Sequence, residues 1–359
     1  MGRKWIVLAI TLVLVLSSVG PVFAAVDIAS ALAYLQTQQN EDGGFGSGFS
    51  PGSSLISTAD VVLAIVAVGG DPATFKKGDQ TPLTYLAAQA PSAATAGDLA
   101  KLILAVVAVG KDPRTFGGVD AVAKLEKMIG AGGRIGGEQD TFVSHLYAVL
   151  ALVGAGRPVP ALAVNLIKEA QQENGGWAWD GSLTTPVDTN TTAFAIQALI
   201  AAGESARSEA VTRALGYYKG IQNDDGGWPY QNPSDYGTLT DTNSTAVTIQ
   251  ALLAAGQQVS GADWTTSAGQ NPLSALEALQ NESGAFMWKA DTPGDNLLAT
   301  VQALPAVAGK AFPLARSRAA APAPTTLPVT GGPALNLAWL LILSGLALGG
   351  GGYLLHRKK

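Results

Sequence analysis

The sequence predicts an all-α protein, an α6/α6 toroid of six helix-pair repeats, and three observations carry that prediction. An alanine-rich apolar stretch recurs six times, each opening on an aspartate (Asp60, Asp98, Asp140, Asp188, Asp241, Asp295) and closing on a glycine (Gly69, Gly110, Gly154, Gly203, Gly256, Gly309). Successive aspartates lie 38, 42, 48, 53 and 54 residues apart, within the range of helical repeats. A more charged segment with helical periodicity precedes each stretch, so each unit reads as an amphipathic helix followed by a nearly all-apolar one. Helices apolar on every side are buried. The second helices therefore form an inner layer and the first helices an outer one. No strand of consequence is predicted.

The fifth unit shows how each element is specified. Residues 206–221 place Ala210, Val211, Ala214, Leu215 and Tyr218 at helical spacing. Gln222-Asn223-Asp224-Asp225-Gly226-Gly227-Trp228 then breaks the helix, because Asp-Gly and Gly-Gly favour turns with positive φ. Asp241 is the expected N-cap of the second helix, and Gly256 its stop. The fourth unit repeats this with Gln171, Gly175, Gly176 and Trp177 ahead of Asp188. The first has Gln39, Gly43, Gly44 and Phe45, and the sixth has Gln280, Gly284, Ala285 and Phe286. The second and third units lack this turn motif.

The repeats occupy residues 26–310, and what flanks them reads as address rather than fold. Residues 1–25 read as a signal peptide, with basic Arg3 and Lys4, an apolar run and the small-residue cleavage site Val22-Phe23-Ala24. Residues 311–326 form a linker rich in Pro and Ala. Residues 327–359 open on Leu327-Pro328-Val329-Thr330-Gly331, continue with an apolar span over 333–355, and end His356-Arg357-Lys358-Lys359. That order resembles the sortase sorting signal of bacterial surface proteins. The resemblance implies cleavage between Thr330 and Gly331 and a partner sortase. The repeats would then be exported and held at the cell surface, on the wall or the membrane.

The exported part is acidic, with 17 basic residues against 27 acidic ones leaving −10. Nucleic acid needs a basic face and is excluded as a partner. There is no cysteine, so disulfides, thiol nucleophiles and thiolate metal sites are excluded, and no cofactor or metal is expected. The one histidine of the repeats, His145, is expected to be a core residue with its hydrogen bonds satisfied.

At the Gln-x-x-x-Gly-x-aromatic turns the sequence resembles the squalene-cyclase and protein-prenyltransferase repeat family over residues 27–310. The resemblance implies the α6/α6 toroid, with the Gln and the aromatic bracing one helix pair against the next. Class II terpene cyclases of this family use Asp-x-Asp-Asp-Thr-Ala, whose middle aspartate protonates an alkene. Asp188-Thr189-Asn190-Thr191-Thr192-Ala193 and the parallel segment at Asp241 keep the first Asp and the Thr-Ala, but Asn190 and Asn243 take the donor's place. An amide cannot protonate an alkene. Prenyltransferases hold zinc with Asp, Cys and His, and this chain has no cysteine. Gly136-Gly137-Glu138-Gln139 resembles a thioester motif without its cysteine. A non-catalytic protein is therefore expected.

The expected activity is binding at the ring's mouth. Parallel inner helices would bring all six aspartates to one end, and the second aromatics of the turns, Phe49, Trp179, Tyr230 and Trp288, would point there too. A rim of carboxylates and rings suits a glycan or another small molecule, a cobalamin-like one among them. Asp is also a good N-cap needing no ligand, and a protein-interaction scaffold or a cyclase-like enzyme are the alternatives.

Overall fold

The computed structural model describes residues 26–314 apart from 48, 49, 51 and 236. The expected signal peptide, Phe49, the sorting signal with Thr330 and Gly331, and the span over 333–355 lie outside the described residues. Among the described residues no helix is long and apolar enough to cross a membrane.

Twelve α-helices follow one another as six pairs among the described residues: α1 (Ile28–Thr37) and α2 (Leu55–Ala67), α3 (Pro82–Gln89) and α4 (Ala96–Ala108), α5 (Ala121–Glu126) and α6 (Phe142–Gly154), α7 (Ala161–Glu169) and α8 (Thr189–Ala201), α9 (Glu209–Ile221) and α10 (Thr242–Ala254), α11 (Pro272–Glu277) and α12 (Leu297–Val307). The even-numbered helices pack in order, and α12 returns against α2, so the inner layer is a closed ring. Inner helices are buried almost all round: in α10 every residue from Thr242 to Leu252 is buried. The outer helices bury one stripe only, as α9 does with Val211, Ala214, Tyr217 and Tyr218.

The four motif glutamines hold the ring together. In each, Nε2 donates to the carbonyl of its own turn glycine and to a carbonyl of the next unit. Gln39 bonds Gly43 and Phe75 at 3.0 and 3.1 Å, Gln171 bonds Gly175 and Ala210 at 2.8 Å each, and Gln222 bonds Gly226 and Trp264 at 2.9 and 3.1 Å. Gln280 bonds Gly284 at 2.9 Å and the Asp27 carbonyl at 3.0 Å, while its Oε1 accepts from the Asp27 amide at 2.8 Å. The last turn is thereby tied to the first helix. The brace that the family resemblance implied is present at all four turns. The turn glycines are needed for space as well as for φ. A Cβ on Gly175, at φ +91°, would lie 2.3 Å from the Arg213 carbonyl oxygen.

Three expectations need correction. A short hairpin is present, β1 (Phe286–Lys289) antiparallel to β2 (Thr292–Asn296), where no strand was predicted. It connects the last turn to α12, and tertiary pairing overrides the weak strand propensity of Thr-Pro-Gly-Asp-Asn. Gly154 is still helical, and Gly156 with φ +68° ends that helix instead. The third unit lacks the motif, as the sequence indicates, yet folds a similar turn: Gly133 at φ +87° abuts Leu162 and Ile135 is fully buried in the aromatic's place. The residues that make the turn, glycine and a large apolar side chain, survive without the glutamine. Residues 311–314 of the expected linker pack on the ring, with Leu314 buried and the Phe312 amide donating to Gln197 Oε1 at 2.9 Å.

Candidate functional site

The six aspartates do not play one role. Asp188 and Asp241 are N-caps, accepting from the amides of Thr191 and Ser244 at 2.7 Å each. The other inner helices are capped by Ser54, Thr95, Thr141 and Asn296, whose side chains satisfy a first-turn amide as well as Asp does. Asp98 sits three residues inside α4 in a capping box with Thr95. Asp140 lies before its own helix and accepts from the Ala96 and Gly97 amides at 3.1 and 3.2 Å, so it caps the neighbouring helix α4. Asp295 is on β2 and accepts from Asn281 and Ser283. Asp60 is inside α2.

The N-terminal ends of α8, α10, α12 and α2 converge on adjoining pockets at the ring's mouth. The mouth pocket, about 470 Å³, is lined by Asn190, Tyr230, Asp241, Asn243, Ser244, Trp288, Asn296, Leu298 and Gln302. Of the predicted rim it unites Asp241, Tyr230 and Trp288. Leu298 also lines a second pocket of about 170 Å³, which has Asp60 in its wall beside Ile56, Val61, Leu297 and Val301. Asp295 lines a third, polar pocket of about 500 Å³ with Tyr34, Gln38, Asn40 and Ser50. Asp98, Asp140 and Trp179 line none of these three, and Trp179 is exposed.

Asp241 is 2% exposed, and burial pushes its carboxyl up to about 6 against the opposing hydrogen bonds from Ser244 and the charge of Lys289. Its two oxygens accept from the Ser244 amide and hydroxyl, at 2.7 and 2.8 Å. Asp188 is 1% exposed and burial likewise raises it to about 6, with Oδ2 lacking any hydrogen-bond partner. These are two carboxyl groups that hold a proton into the mildly acidic range, one of them in the wall of an apolar pocket. Such a group can act as a general acid.

Beneath the mouth the lumen narrows to a cleft of about 20 Å³ between Asp60, Lys101, Tyr147, Phe194, Gln250, Gln302 and Phe312. Lys101 Nζ is 2.6 Å from Asp60 Oδ1 and 3.7 Å from the centre of the Tyr147 ring. Burial disfavours the Lys101 charge, yet the Asp60 carboxylate and Tyr147 outweigh it and hold the amine above its ordinary pKa. Sequence reasoning missed this pair. The signal was a lone lysine within Leu99-Ala100-Lys101-Leu102, an apolar stretch of an inner helix.

His145 is a buried residue with both ring nitrogens hydrogen-bonded, as expected. Its Nδ1 accepts from the Ile135 amide at 3.0 Å, and Nε2 lies 3.1 Å from the Ala163 carbonyl, which fixes the proton on Nε2. In the four motif units a threonine hydroxyl takes the corresponding amide: Thr58 for Phe45, Thr192 for Trp177, Thr245 for Trp228 and Thr300 for Phe286. Among the described residues no cluster of His, Cys, Asp and Glu could hold a metal ion.

Residues 139–294 match the squalene-hopene cyclase C-terminal domain. No curated protein matches the chain in sequence. Solved structures share the fold. The type II terpene cyclase MstE from Scytonema is 14% identical with a TM-score of 0.55, over 78% of this chain and 96% of that one. MstE has also been solved with geranylgeranyl dihydroxybenzoate, its substrate, at TM-score 0.54, 14% identity and coverage of 78% and 95%. A glycosidase with glucose bound is 13% identical at TM-score 0.55, again over 78% and 95% of the two chains.

These findings overturn the expectation of a non-catalytic protein. The matching domain is a cyclase domain, and the solved structures described above are of enzymes, one of them with its substrate bound. The expectation had rested on Asn190 and Asn243 in the donor's place and on the lack of cysteine, and it overlooked that burial makes weak acids of Asp188 and Asp241. By fold, residues 26–314 form a terpene-cyclase-like toroid, with the squalene-hopene cyclase match spanning residues 139–294.

Proposed function

We propose that this protein is an acid–base enzyme that works at the mouth of the toroid on an unsaturated substrate of the isoprenoid class, with Asp241 as the acid. The observation that carries the reading is the placing of Asp241, a buried carboxyl raised to about 6, in the wall of a pocket of about 470 Å³ formed with Trp288, Tyr230 and Leu298. The proton of Asp241 would pass to an alkene carbon. The π electrons form the new C–H bond and leave a carbocation on the neighbouring carbon. The ring of Tyr230 suits such a cation, whereas Lys289 Nζ already lies 4.1 Å from the centre of the Trp288 ring. Loss of a proton from the next carbon restores a neutral alkene. The cyclase match over 139–294 supports the substrate class, and the end segments support an exported enzyme held at the cell surface through sortase.

A second reading, glycoside hydrolysis, is favoured by the amides of Asn190, Asn243, Asn296 and Gln302 in the same pocket, which suit sugar hydroxyls. Asn243 and Gln302 are bonded to each other at 2.9 Å, which leaves fewer amide groups for a sugar. Incubation with prenylated aromatics and prenyl alcohols, and in parallel with aryl glycosides, decides between them. The isoprenoid reading expects an isomer of the prenyl substrate. Its rate should fall as pH rises through about 6 and be lost in Asp241→Asn. Release of a phenol from the glycosides with no prenyl product would overturn it.

A further inference from the structure

The lumen holds a charged pair for which the mouth chemistry above has no use. Asp60 and Lys101 sit on the adjacent inner helices α2 and α4, and the residues lining the cleft beside them, Tyr147, Phe194, Gln250, Gln302 and Phe312 among them, carry no other charge. A buried ion pair is weak evidence for stability, because desolvation offsets most of the attraction. Asp60 is the less covered partner, its side chain 19% exposed against 9% for Lys101. It lines both the pocket of about 170 Å³ and the lumen cleft of about 20 Å³. The first of these shares Leu298 with the mouth pocket, and the second shares Gln302 with it. The two pockets meet at the Leu298 side chain, so a chain bound beside Asp241 would have to pass Leu298 to reach Asp60. Lys101 occupies Asp60 Oδ1, and Oδ2 makes no hydrogen bond among the described residues.

We propose that Asp60 is the second catalytic carboxylate: through Oδ2 it faces the cationic end of the bound substrate and takes up the proton that ends the reaction. The C–H bond beside the cationic carbon breaks, its electron pair becomes the new C=C bond, and the proton passes to Oδ2 and from there to water. Lys101 is a positioning residue. It holds Oδ1 and turns the free oxygen toward the pocket. The assignment rests on the isoprenoid reading.

The test needs no turnover. A protonated geranylgeranyl tertiary amine carries a charge like that of the cation, and geranylgeraniol is its neutral counterpart. Affinities for both are measured by calorimetry at pH 7.5. Asp60→Asn alone strands the Lys101 charge in the lumen, so the informative variant is Asp60→Asn with Lys101→Met, its folding checked by thermal melting; Asp60→Glu is the conservative control. The wild type should prefer the amine by about tenfold or more. The double variant should lose that preference and keep its affinity for the alcohol, and Asp60→Glu should retain both. A preference that survives in the double variant, or is absent from the wild type, overturns the assignment. Prenyl turnover is followed alongside. Product formation with a preference independent of Asp60 refutes this assignment alone. An Asp60-dependent preference with no prenyl product refutes the isoprenoid reaction and leaves the cation-facing carboxylate standing.

Discussion

Asp188 gives a test of the buried-acid argument that is independent of any substrate. Its folded pKa lies near 6 against 3.8 for an ordinary aspartate, and burial is the main cause. Between those values the folded protein still holds the proton while the unfolded chain has released it. Stability therefore falls as pH rises through this window, by about 3 kcal/mol in all for a shift of this size. About 2 kcal/mol of that loss falls between pH 4.5 and 7.5. Asp188→Asn removes the titration and keeps an N-cap oxygen for the Thr191 amide. Urea unfolding of both proteins at pH 4.5, 6 and 7.5 should show the variant gaining about 2 kcal/mol on the wild type across the series, whatever its offset at any one pH. Taking the difference cancels other titrating groups. His145 among them has the opposite sign: burial lowers it to about 4, so the stability it contributes is lost as pH falls from 6.5 toward 4. Parallel curves for the two proteins would refute the claim that Asp188 is a destabilised buried acid.

Other expectations follow from named contacts. Gln280→Ala removes three hydrogen bonds, two of them the clasp to Asp27, and should cost about 2–3 kcal/mol. Hydrogen exchange in α1 should rise most, and protection unchanged there would show that the ring closes by inner-helix packing alone. Gly175→Ala forces a Cβ to 2.3 Å from a backbone oxygen at φ +91° and should cost more than about 2 kcal/mol in thermal or urea unfolding. Lys101→Met without a change at Asp60 leaves a half-buried carboxylate without its partner and should destabilise by about 2–3 kcal/mol, while the double change recovers most of that in the same assay.

The site was only partly legible in advance. Tyr230, Trp288 and Asp241 were read together because the repeats are in phase, and the same phase brings them to the wall of one pocket. Counting an aspartate at each repeat as a cap failed at Asp60, Asp98, Asp140 and Asp295, since Ser, Thr and Asn cap equally well. The motif comparison failed differently. It asked which residue type stands at the donor position and found Asn190. Acidity at Asp188 and Asp241 comes from burial, which a motif does not record.

The sequence by itself determined the six helix pairs, the two layers and the bracing turns. These depend on periodicity, on glycine's access to positive φ and on a glutamine whose own turn lies four residues away. Only the tertiary structure decided that Gln280 reaches Asp27, 253 residues distant, to close the ring. It also decided that Asp60 meets Lys101 across 41 residues in the lumen. Desolvation and ion pairing depend on what lies within a few ångströms in space, and helix periodicity says nothing of that until the ring is closed.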